Sequence, residues 1–321
     1  MTSADDWRPT ATWETLRARA DLLKRVRSFF DDRGLVEVET PALSRDTVVD
    51  LYIDPFGMTD PGSGDRYWLQ TSPEFHMKRL LAAGGGAMYQ ISRVFRREES
   101  GPFHNPEFTM VEWYVPGHGL AEGIGLLAAV AKELFAAESV DIARYRDAFA
   151  AATGLDAWED PVESFDACAR REGVPAPETL GADRDGWLNL LFAEVVQPKL
   201  GAERPVVISH YPPSQAALAE TFDDPYPAAG RFELFYRGVE LANGYRELLD
   251  ADELRRRNAA NNATRASRDA DVLPESSRLL EAMDSGLPAC AGVALGFDRV
   301  VMVALGKSSI QDVVAFPWDR A

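Results

Sequence analysis

The chain has 321 residues, of which 46% are hydrophobic and 26% are charged, values typical of a globular protein with a large buried core. Its net charge of −17 at pH 7 excludes a basic nucleic-acid-binding surface of the usual kind and argues against stable nucleic-acid binding. No apolar stretch approaches the roughly 20 residues of a membrane span, the polar, acidic N-terminal segment does not resemble a signal peptide, and the two cysteines are far apart. We therefore expect a cytoplasmic protein without membrane binding.

The first third of the chain predicts a helix, a strand and a hairpin. A loose arm is expected over residues 1–14, and apolar residues at three- and four-residue steps predict a helix from Ala11 to Phe30. A strand is predicted in LVEVETPAL, ended by Pro41, and residues 68–80 pass from a strand into a helix. Residues 87–114 predict an antiparallel hairpin with a charged connection, REESGPFHNPE.

The remainder of the chain predicts further helices and short strands. Residues 120–200 are rich in alanine and mostly helical, and residues 250–285 are charged and helical. Short strands are predicted in VVISHYP, FELFYRG and VELANGY, and a strand enters a helix through a glycine turn in AGVALGFDRVVMVALG. Strands cluster without regular alternation with helices, which predicts an α+β fold with an antiparallel sheet flanked by helices, as one domain over residues 1–321.

Three segments concentrate polar chemistry. In FRREESGPFHNPEF, two arginines precede two glutamates, and a histidine, an asparagine and the aromatic Phe108 follow on or beside the same hairpin connection. A solvated charged loop also explains this composition. Small residues precede Arg299 in GVALGFDRV, where a ligand can approach the backbone or the core can pack closely. Glu233, Glu240 and Glu247 are spaced by seven residues, and carboxylates beside phosphates suit Mg²⁺, although each alone is compatible with the surface.

Together these segments resemble the motifs of class II aminoacyl-tRNA synthetases, and within that class the lysyl branch. GLVEVETPAL resembles motif 1, VFRREESGPFHNPEF resembles motif 2, and GVALGFDR resembles motif 3. TSPEFHMKRLL and ELANGYREL are similar to the amino-acid-binding segments of lysyl-tRNA synthetases. The narrowest resemblance is to the family of elongation factor P–(R)-β-lysine ligases, and it extends over about residues 15–320.

The resemblance implies ATP-dependent activation of (R)-β-lysine, or lysine, as its adenylate, with Mg²⁺, and transfer to a lysine side chain of elongation factor P. One helix precedes motif 1 and residues 300–321 follow motif 3, which leaves no room for an anticodon-binding domain such as a five-stranded barrel. We therefore expect a protein acceptor rather than a tRNA. Motif 1 lies at a two-fold interface in this class, which implies a homodimer.

The resemblance also implies roles for individual residues in binding ATP. Arg96 would bind the α-phosphate and the substrate carboxylate through its planar guanidinium group. Phe108 and Arg299 would cover the two faces of adenine, and Arg96 and Arg299 are the residues expected to stabilise charge during catalysis. The other expected ATP contacts are Arg97, Glu98, His104, Asn105, Glu240, Leu241 and Gly296. Glu233 and Glu240 would hold Mg²⁺.

Roles in binding the amino acid follow in the same way. Glu74, in the turn Ser72-Pro73-Glu74, would pair with the amine near the carboxylate, and Tyr114 and Glu247 with the distal ammonium group. Asn243 and Ala294 complete the expected substrate contacts. Lysyl-tRNA synthetases usually have glycine at the position of Ala294, so its methyl group is expected to favour a β-amino acid, unless the difference is simple glycine–alanine drift.

Two alternatives remain open from the sequence. One is a stand-alone amino-acid ligase that acts on a different carrier or on a small acceptor. The other is a synthetase-like regulator that binds amino acid or ATP without turnover, which the intact Arg96, Glu98, Glu240 and Arg299 argue against.

Overall fold

The computed structural model describes residues 7–223 and 225–321, which form two compact units. Of the described residues, the first unit contains 7–119 and 248–321, and the second contains 120–223 and 225–247. The expectation of one catalytic domain over residues 1–321 stays a prediction, since two compact units can still serve one activity.

The first unit contains a four-stranded sheet and a separate, smaller three-stranded sheet. Its strands are β1 (Val36–Glu37), β2 (Leu43–Ser44), β3 (Gly57–Thr59), β4 (Arg66–Leu69), β5 (Met88–Phe95), β6 (Glu107–Pro116) and β12 (Cys290–Gly296). Its helices are α1 (Trp13–Asp31), α2 (Glu74–Ala82), α7 (Ala251–Ser267), α8 (Arg278–Gly286) and α9 (Phe297–Ala304). The larger sheet has the order β1–β5–β6–β12, in which only the β1–β5 pair is parallel, and the smaller has the order β2–β4–β3.

The α1 helix forms where its apolar spacing predicts it. The Thr12 side chain caps its N-terminus by accepting a hydrogen bond of 3.2 Å from the Thr15 backbone N–H. Its buried face packs on the sheet, where the Phe30 ring stacks on Tyr89 at 4.8 Å and meets Trp113 at 5.1 Å between ring centroids. Part of the arm expected over residues 1–14 lies outside the described residues.

The described part of that arm is anchored rather than loose. The Thr10 backbone N–H donates to the Ala315 carbonyl at 2.9 Å, and its hydroxyl donates to the carbonyl of Gln311 at 2.6 Å. Ala11 is buried, and α1 already begins at Trp13. These contacts are made with residues about 300 positions later, which local sequence patterns do not report.

The predicted hairpin is present as β5 and β6, paired from Met88 with Tyr114 to Phe95 with Glu107. The strand predicted in LVEVETPAL is much shorter than expected. Val36 and Glu37 pair with β5, and the Val38 backbone N–H donates to the Tyr89 carbonyl at 2.8 Å. This strand lies at the edge of the sheet, and Pro41 has no backbone N–H to extend the pairing.

The second unit contains a four-stranded sheet with a short additional strand, and helices. Its elements are α3 (Leu120–Phe135), β7 (Asp141–Arg144), α4 (Tyr145–Thr153), α5 (Val162–Glu172), α6 (Arg184–Leu191), β8 (Val206–Tyr211), β9 (Thr221–Phe222), β10 (Ala228–Tyr236) and β11 (Val239–Arg246). The order is β11–β10–β8–β7, and β9 pairs with β10. At the β10–β11 turn, Arg237 and Gly238 have φ of 52° and 74°, the left-handed pair that a tight hairpin needs.

The core of the second unit lies under α4 to α6. The Tyr145 ring stacks on Phe149 at 5.8 Å and on Phe192 at 4.8 Å, and all three are buried. This confirms the mainly helical prediction for residues 120–200, although β7 interrupts it. The α+β class with a mostly antiparallel sheet is also confirmed. None of the helices in the described part of the chain combines the length and the apolarity that crossing a bilayer requires.

Candidate active site

A buried carboxylate lies on β6 at the centre of the first unit's sheet. Glu112 is 1% exposed, and its two oxygens accept hydrogen bonds from the Ser72 hydroxyl at 2.7 Å and the Tyr114 hydroxyl at 2.6 Å. Burial and the nearby charge of Glu74 raise the pKa of Glu112 to about 7, against the opposing effects of those two hydrogen bonds and of the Lys78 charge. At neutral pH the group is therefore poised between its neutral and ionised forms.

A buried ion pair lies next to this carboxylate on α2. The Lys78 ammonium is 2.5 Å from Glu74, one helical turn earlier, and both side chains are largely buried. The Ser72 hydroxyl accepts from the Glu74 backbone N–H at 3.0 Å, so the residue that binds Glu112 also orders the first turn of α2. The Lys78 nitrogen also lies 5.9 Å from the centre of the Tyr114 ring. Glu74, Lys78 and Glu112 thus form one buried charged cluster, with two acids to one base.

The small residues of motif 3 lie beside this cluster. In the pairing of β6 with β12, Ala294 is opposite Glu112 and Gly292 is opposite Tyr114. Residues that face each other across antiparallel strands point to the same side of the sheet. Glycine and alanine therefore leave the sheet surface next to Glu112 and Tyr114 uncovered by large side chains of β12.

The first arginine of motif 2 lies at the start of the hairpin connection. The guanidinium carbon of Arg96 is 5.1 Å from the centre of the Phe108 ring, and its Nε donates to the Thr71 carbonyl at 3.4 Å. Arg96 is also 3.6 Å from Glu99. Two of the expected nucleotide-binding side chains, Arg96 and Phe108, are thus brought together.

The next residues of motif 2 are more exposed. Glu98 has the left-handed φ of 68°, and its side chain is 76% exposed. Its carboxylate is 3.7 Å from the Arg97 guanidinium group, so it lies at the solvent side of the loop. The expected contact of Glu98 with adenine stays a prediction.

Arg299 reaches the far side of the same loop. Its Nε donates to the Phe103 carbonyl at 3.0 Å, and its terminal nitrogen lies 2.7 Å from His104 Nε2. Burial and the charge of Arg299 lower the pKa of His104, which favours the neutral ring as an acceptor. Asn105, the next residue, is buried, and backbone groups hold both ends of its amide.

In the second unit, Glu233 is engaged by its own neighbours. Its carboxylate accepts from the Tyr211 hydroxyl and from Arg231, whose Nε is 3.1 Å away. Burial and the Glu233 charge raise the pKa of Tyr211 well above its usual value. Both Glu233 oxygens take part in this ion-paired arrangement, and the expected binding of Mg²⁺ by Glu233 stays a prediction. Among the residues described, no group of three or more metal-ligating side chains is found.

The other expected residues of the second unit lie on or just after β11. Glu240 is opposite Phe235, Asn243 is opposite Glu233, and Glu247 is buried. Leu241 is also buried. The Asn243 amide nitrogen lies 3.0 Å from the Tyr245 hydroxyl, and its Oδ1 is buried without a hydrogen-bond partner among the described residues, which suits a ligand N–H donor. The assigned contacts of these residues with ATP and substrate stay predictions.

Residues 4–320 match the family described as class II tRNA synthetases for Asp, Lys and Asn. The chain belongs to this family. Over 325 residues and 100% of both chains, it is 42% identical to an elongation factor P–(R)-β-lysine ligase of Pectobacterium carotovorum. Equally named proteins of Proteus mirabilis and Sodalis glossinidius are 42% and 41% identical, again over 100% of both chains. The resemblance and the class II fold expected from the three motifs are confirmed.

Sequence reasoning missed Glu112, a fully buried acid of this class II site. Glu112 lies in TMVEWYV, two residues before Tyr114, which the resemblance does assign to substrate binding. A lone glutamate among apolar residues of a strand is a signal in itself, because an acid is rarely buried without a partner. Lys78 was also missed, although its spacing of four residues from Glu74 on a helix predicts an ion pair.

Proposed function

We propose that this class II synthetase activates (R)-β-lysine, or lysine, with ATP and transfers it to a lysine side chain of elongation factor P. Its general class, an ATP-dependent amino-acid ligase, follows from the family. The observation that carries the choice of substrate is Glu112, a buried carboxylate with Tyr114 and Ser72 as its hydrogen-bond partners.

A cationic side chain is the ligand that this site suits. Glu74 already has a cation in Lys78, whereas Glu112 has neutral hydroxyl donors, so a ligand ammonium group would supply the missing positive charge. An uncharged ligand would leave an ionised acid buried, or require that it stay protonated, which disfavours binding. Tyr114 would contribute its hydroxyl to the same end of the ligand.

Adenylate formation needs positioning more than proton transfer. The substrate carboxylate is already ionised at neutral pH, so it attacks the α-phosphate without a general base. A carboxyl oxygen–phosphorus bond forms, and the bond to the β-phosphate breaks, releasing pyrophosphate. Arg96 would bind the reacting groups, and Arg299 would stabilise the phosphates from the other side of the loop. Glu240 is the residue proposed to hold Mg²⁺, which when bound would offset the negative charge of the phosphates.

The second half-reaction would modify a protein amine. The neutral ε-amine of a lysine attacks the adenylate carbonyl, an amide bond forms, AMP leaves, and the amine proton passes to solvent. The name shared by full-length relatives at 41–42% identity supports elongation factor P as the acceptor. A homodimer and a cytoplasmic location belong to the same proposal.

Pyrophosphate exchange tests the activation step. Exchange is measured with (R)-β-lysine, α-lysine, arginine and norleucine, the last as a neutral analogue of lysine. We expect exchange with a lysine isomer, none with norleucine, and loss of exchange in Arg96→Ala. Absence of exchange with every lysine isomer would overturn the proposal. Labelled β-lysine that appeared on tRNA and not on elongation factor P would overturn the acceptor.

A further inference from the structure

The hairpin connection of motif 2 is held at successive points by the C-terminal part of the chain. The Ile310 backbone N–H donates to the Pro102 carbonyl at 2.7 Å. Arg299 donates to the next carbonyl, that of Phe103, at 3.0 Å. The Trp318 backbone N–H donates to Asn105 Oδ1 at 2.9 Å. These contacts join segments about 200 residues apart in the chain.

Asn105 is fixed at both ends of its side chain. Its Nδ2 donates to the Glu107 carbonyl at 2.6 Å, at the first residue of β6, and its Oδ1 accepts from Trp318. The residue is 8% exposed, so an unpaired amide oxygen at this place would be costly. The Asn105 amide therefore links the end of the loop to the C-terminal segment.

The C-terminal segment is itself anchored. Ile310 and Val313 are buried, and Thr10 donates hydrogen bonds to the carbonyls of Gln311 and Val314. Trp318 contributes its backbone to this contact, while its side chain stays 53% exposed and its ring lies 5.7 Å from that of Phe56 between centroids. The donor to Asn105 is thus independent of the indole.

We propose that Trp318 is a positioning residue, whose backbone N–H fixes Asn105 and holds the motif 2 loop in the form that binds ATP. The proposal rests on the proposed function only in taking ATP as the ligand of this loop. The positioned groups are His104, next to Asn105, and Arg96, at the other end of the loop. The loop is positioned by the backbone N–H of residue 318, and its position does not depend on which side chain is present there.

Two substitutions at one position separate the donor from the side chain. Trp318→Ala removes the indole and keeps the N–H, whereas Trp318→Pro removes both. Trp318 begins a short helical turn, Trp318–Arg320, and Pro317 before it is extended, with ψ of 168°, so proline fits the local backbone. Each variant is also made in the Asn105→Ala background, in which the acceptor is absent.

Hydrogen exchange of the loop and the kinetics of pyrophosphate exchange are then measured on the full chain. We expect faster amide exchange over residues 97–106 in Trp318→Pro than in Trp318→Ala, without ligand. We also expect KM for ATP to rise about fivefold in Trp318→Pro relative to Trp318→Ala, the factor that corresponds to the net value of one hydrogen bond, with little change in kcat. The difference between the two variants should vanish in the Asn105→Ala background.

The outcomes separate this proposal from the proposed function. Equal loop exchange and equal KM in Trp318→Pro and Trp318→Ala overturn the positioning role, as does a difference that persists without the Asn105 side chain. If amide exchange of the loop differs between the two variants but the protein binds no ATP, the structural role of the contact stands. ATP as the ligand of the loop and the proposed function are then both overturned.

Discussion

Ala294 lies directly opposite Glu112 in the pairing of β12 with β6. Its methyl group and the carboxylate point to the same side of the sheet, so the smallest change at position 294 alters the space beside the buried acid. The expected preference for a β-amino acid would therefore be set on the sheet surface beside Glu112.

We expect Ala294→Gly to improve the use of α-lysine relative to (R)-β-lysine. One methyl group in a pocket is worth about 1 kcal/mol or somewhat more, so the ratio of the two kcat/KM values should change by about fivefold or more. Pyrophosphate exchange with each isomer measures this ratio. Ala291→Gly, on the same strand but pointing to the other face, is the control and should leave the ratio unchanged. An equal ratio in the wild type and Ala294→Gly would remove Ala294 from the explanation of isomer choice.

Glu112→Gln tests the buried acid directly. The amide keeps the shape and can still accept a hydrogen bond, but it offers no charge to a ligand ammonium group. We expect kcat/KM for lysine to fall by at least about 100-fold, the cost of leaving a ligand charge without its buried partner. Glu107→Gln, in the same strand but 43% exposed beside Arg93, is the matched control and should retain most activity. Similar activity in both variants would contradict the role of Glu112.

The raised pKa of Glu112 predicts two opposite effects of pH. The folded protein holds the Glu112 proton up to about pH 7, whereas the unfolded chain releases it near 4.5. The folded state therefore binds more protons in this window, and this group's contribution to the free energy of unfolding falls as pH rises from 4.5 to 7. The unfolding free energy of Glu112→Gln, relative to wild type, should increase over that window in denaturant titrations.

Binding of a cationic amino acid should show the reverse dependence. An ammonium ligand favours ionised Glu112, so its affinity should rise as pH increases through about 7, with release of a proton. Calorimetry in buffers of different ionisation enthalpy measures that release. Proton release that is unchanged in Glu112→Gln would assign the effect to another group.

The parts of the fold that depend on local pattern could be predicted from the sequence. The α1 helix and the β5–β6 hairpin follow from apolar spacing and turn residues, and three motifs in order identified the family. The short β1 and the anchored Thr10 could not be predicted, because each depends on a partner distant in the chain. For the same reason, no local sequence pattern indicates the hydrogen bond from the Trp318 backbone to Asn105.

The sequence predicted part of the site, and there is a physical reason why it did not predict the rest. Glu74 and Tyr114 were selected by resemblance, but the charge balance of the cluster depends on Lys78 and Glu112, which only the packing of α2 on β6 brings together. For Glu233, spacing suggested a metal ligand. The structure shows its oxygens hydrogen-bonded to Arg231 and Tyr211, which sequence spacing does not reveal, and the metal role stays a prediction.

Glu233 and Glu240 should therefore respond differently to substitution. Glu233→Gln weakens a buried ion pair and is expected to lower the free energy of unfolding by about 3 kcal/mol, as for other broken buried pairs, without changing the Mg²⁺ concentration that gives half-maximal exchange activity. Glu240→Gln should raise that Mg²⁺ concentration with a smaller effect on unfolding. Titrations of Mg²⁺ and denaturant on both variants check this. A Mg²⁺ shift in Glu233→Gln alone would assign the metal to Glu233 and contradict this expectation.

Lys78→Met tests whether the cation of the cluster is needed for both stability and substrate binding. Methionine preserves the length of the side chain but leaves Glu74 without its buried partner, so we expect a loss of about 3–5 kcal/mol in the free energy of unfolding. Because the Lys78 charge lowers the pKa of Glu112, its removal should raise that pKa further and shift the pH dependence of lysine binding upward. Lys24→Met is the matched control, since Lys24 is 75% exposed and its pair with Asp21 is solvated. The double variant Glu74→Gln/Lys78→Met, which removes both charges, should recover much of the stability. If it recovered none, the loss in Lys78→Met would come from packing and not from an unpaired charge.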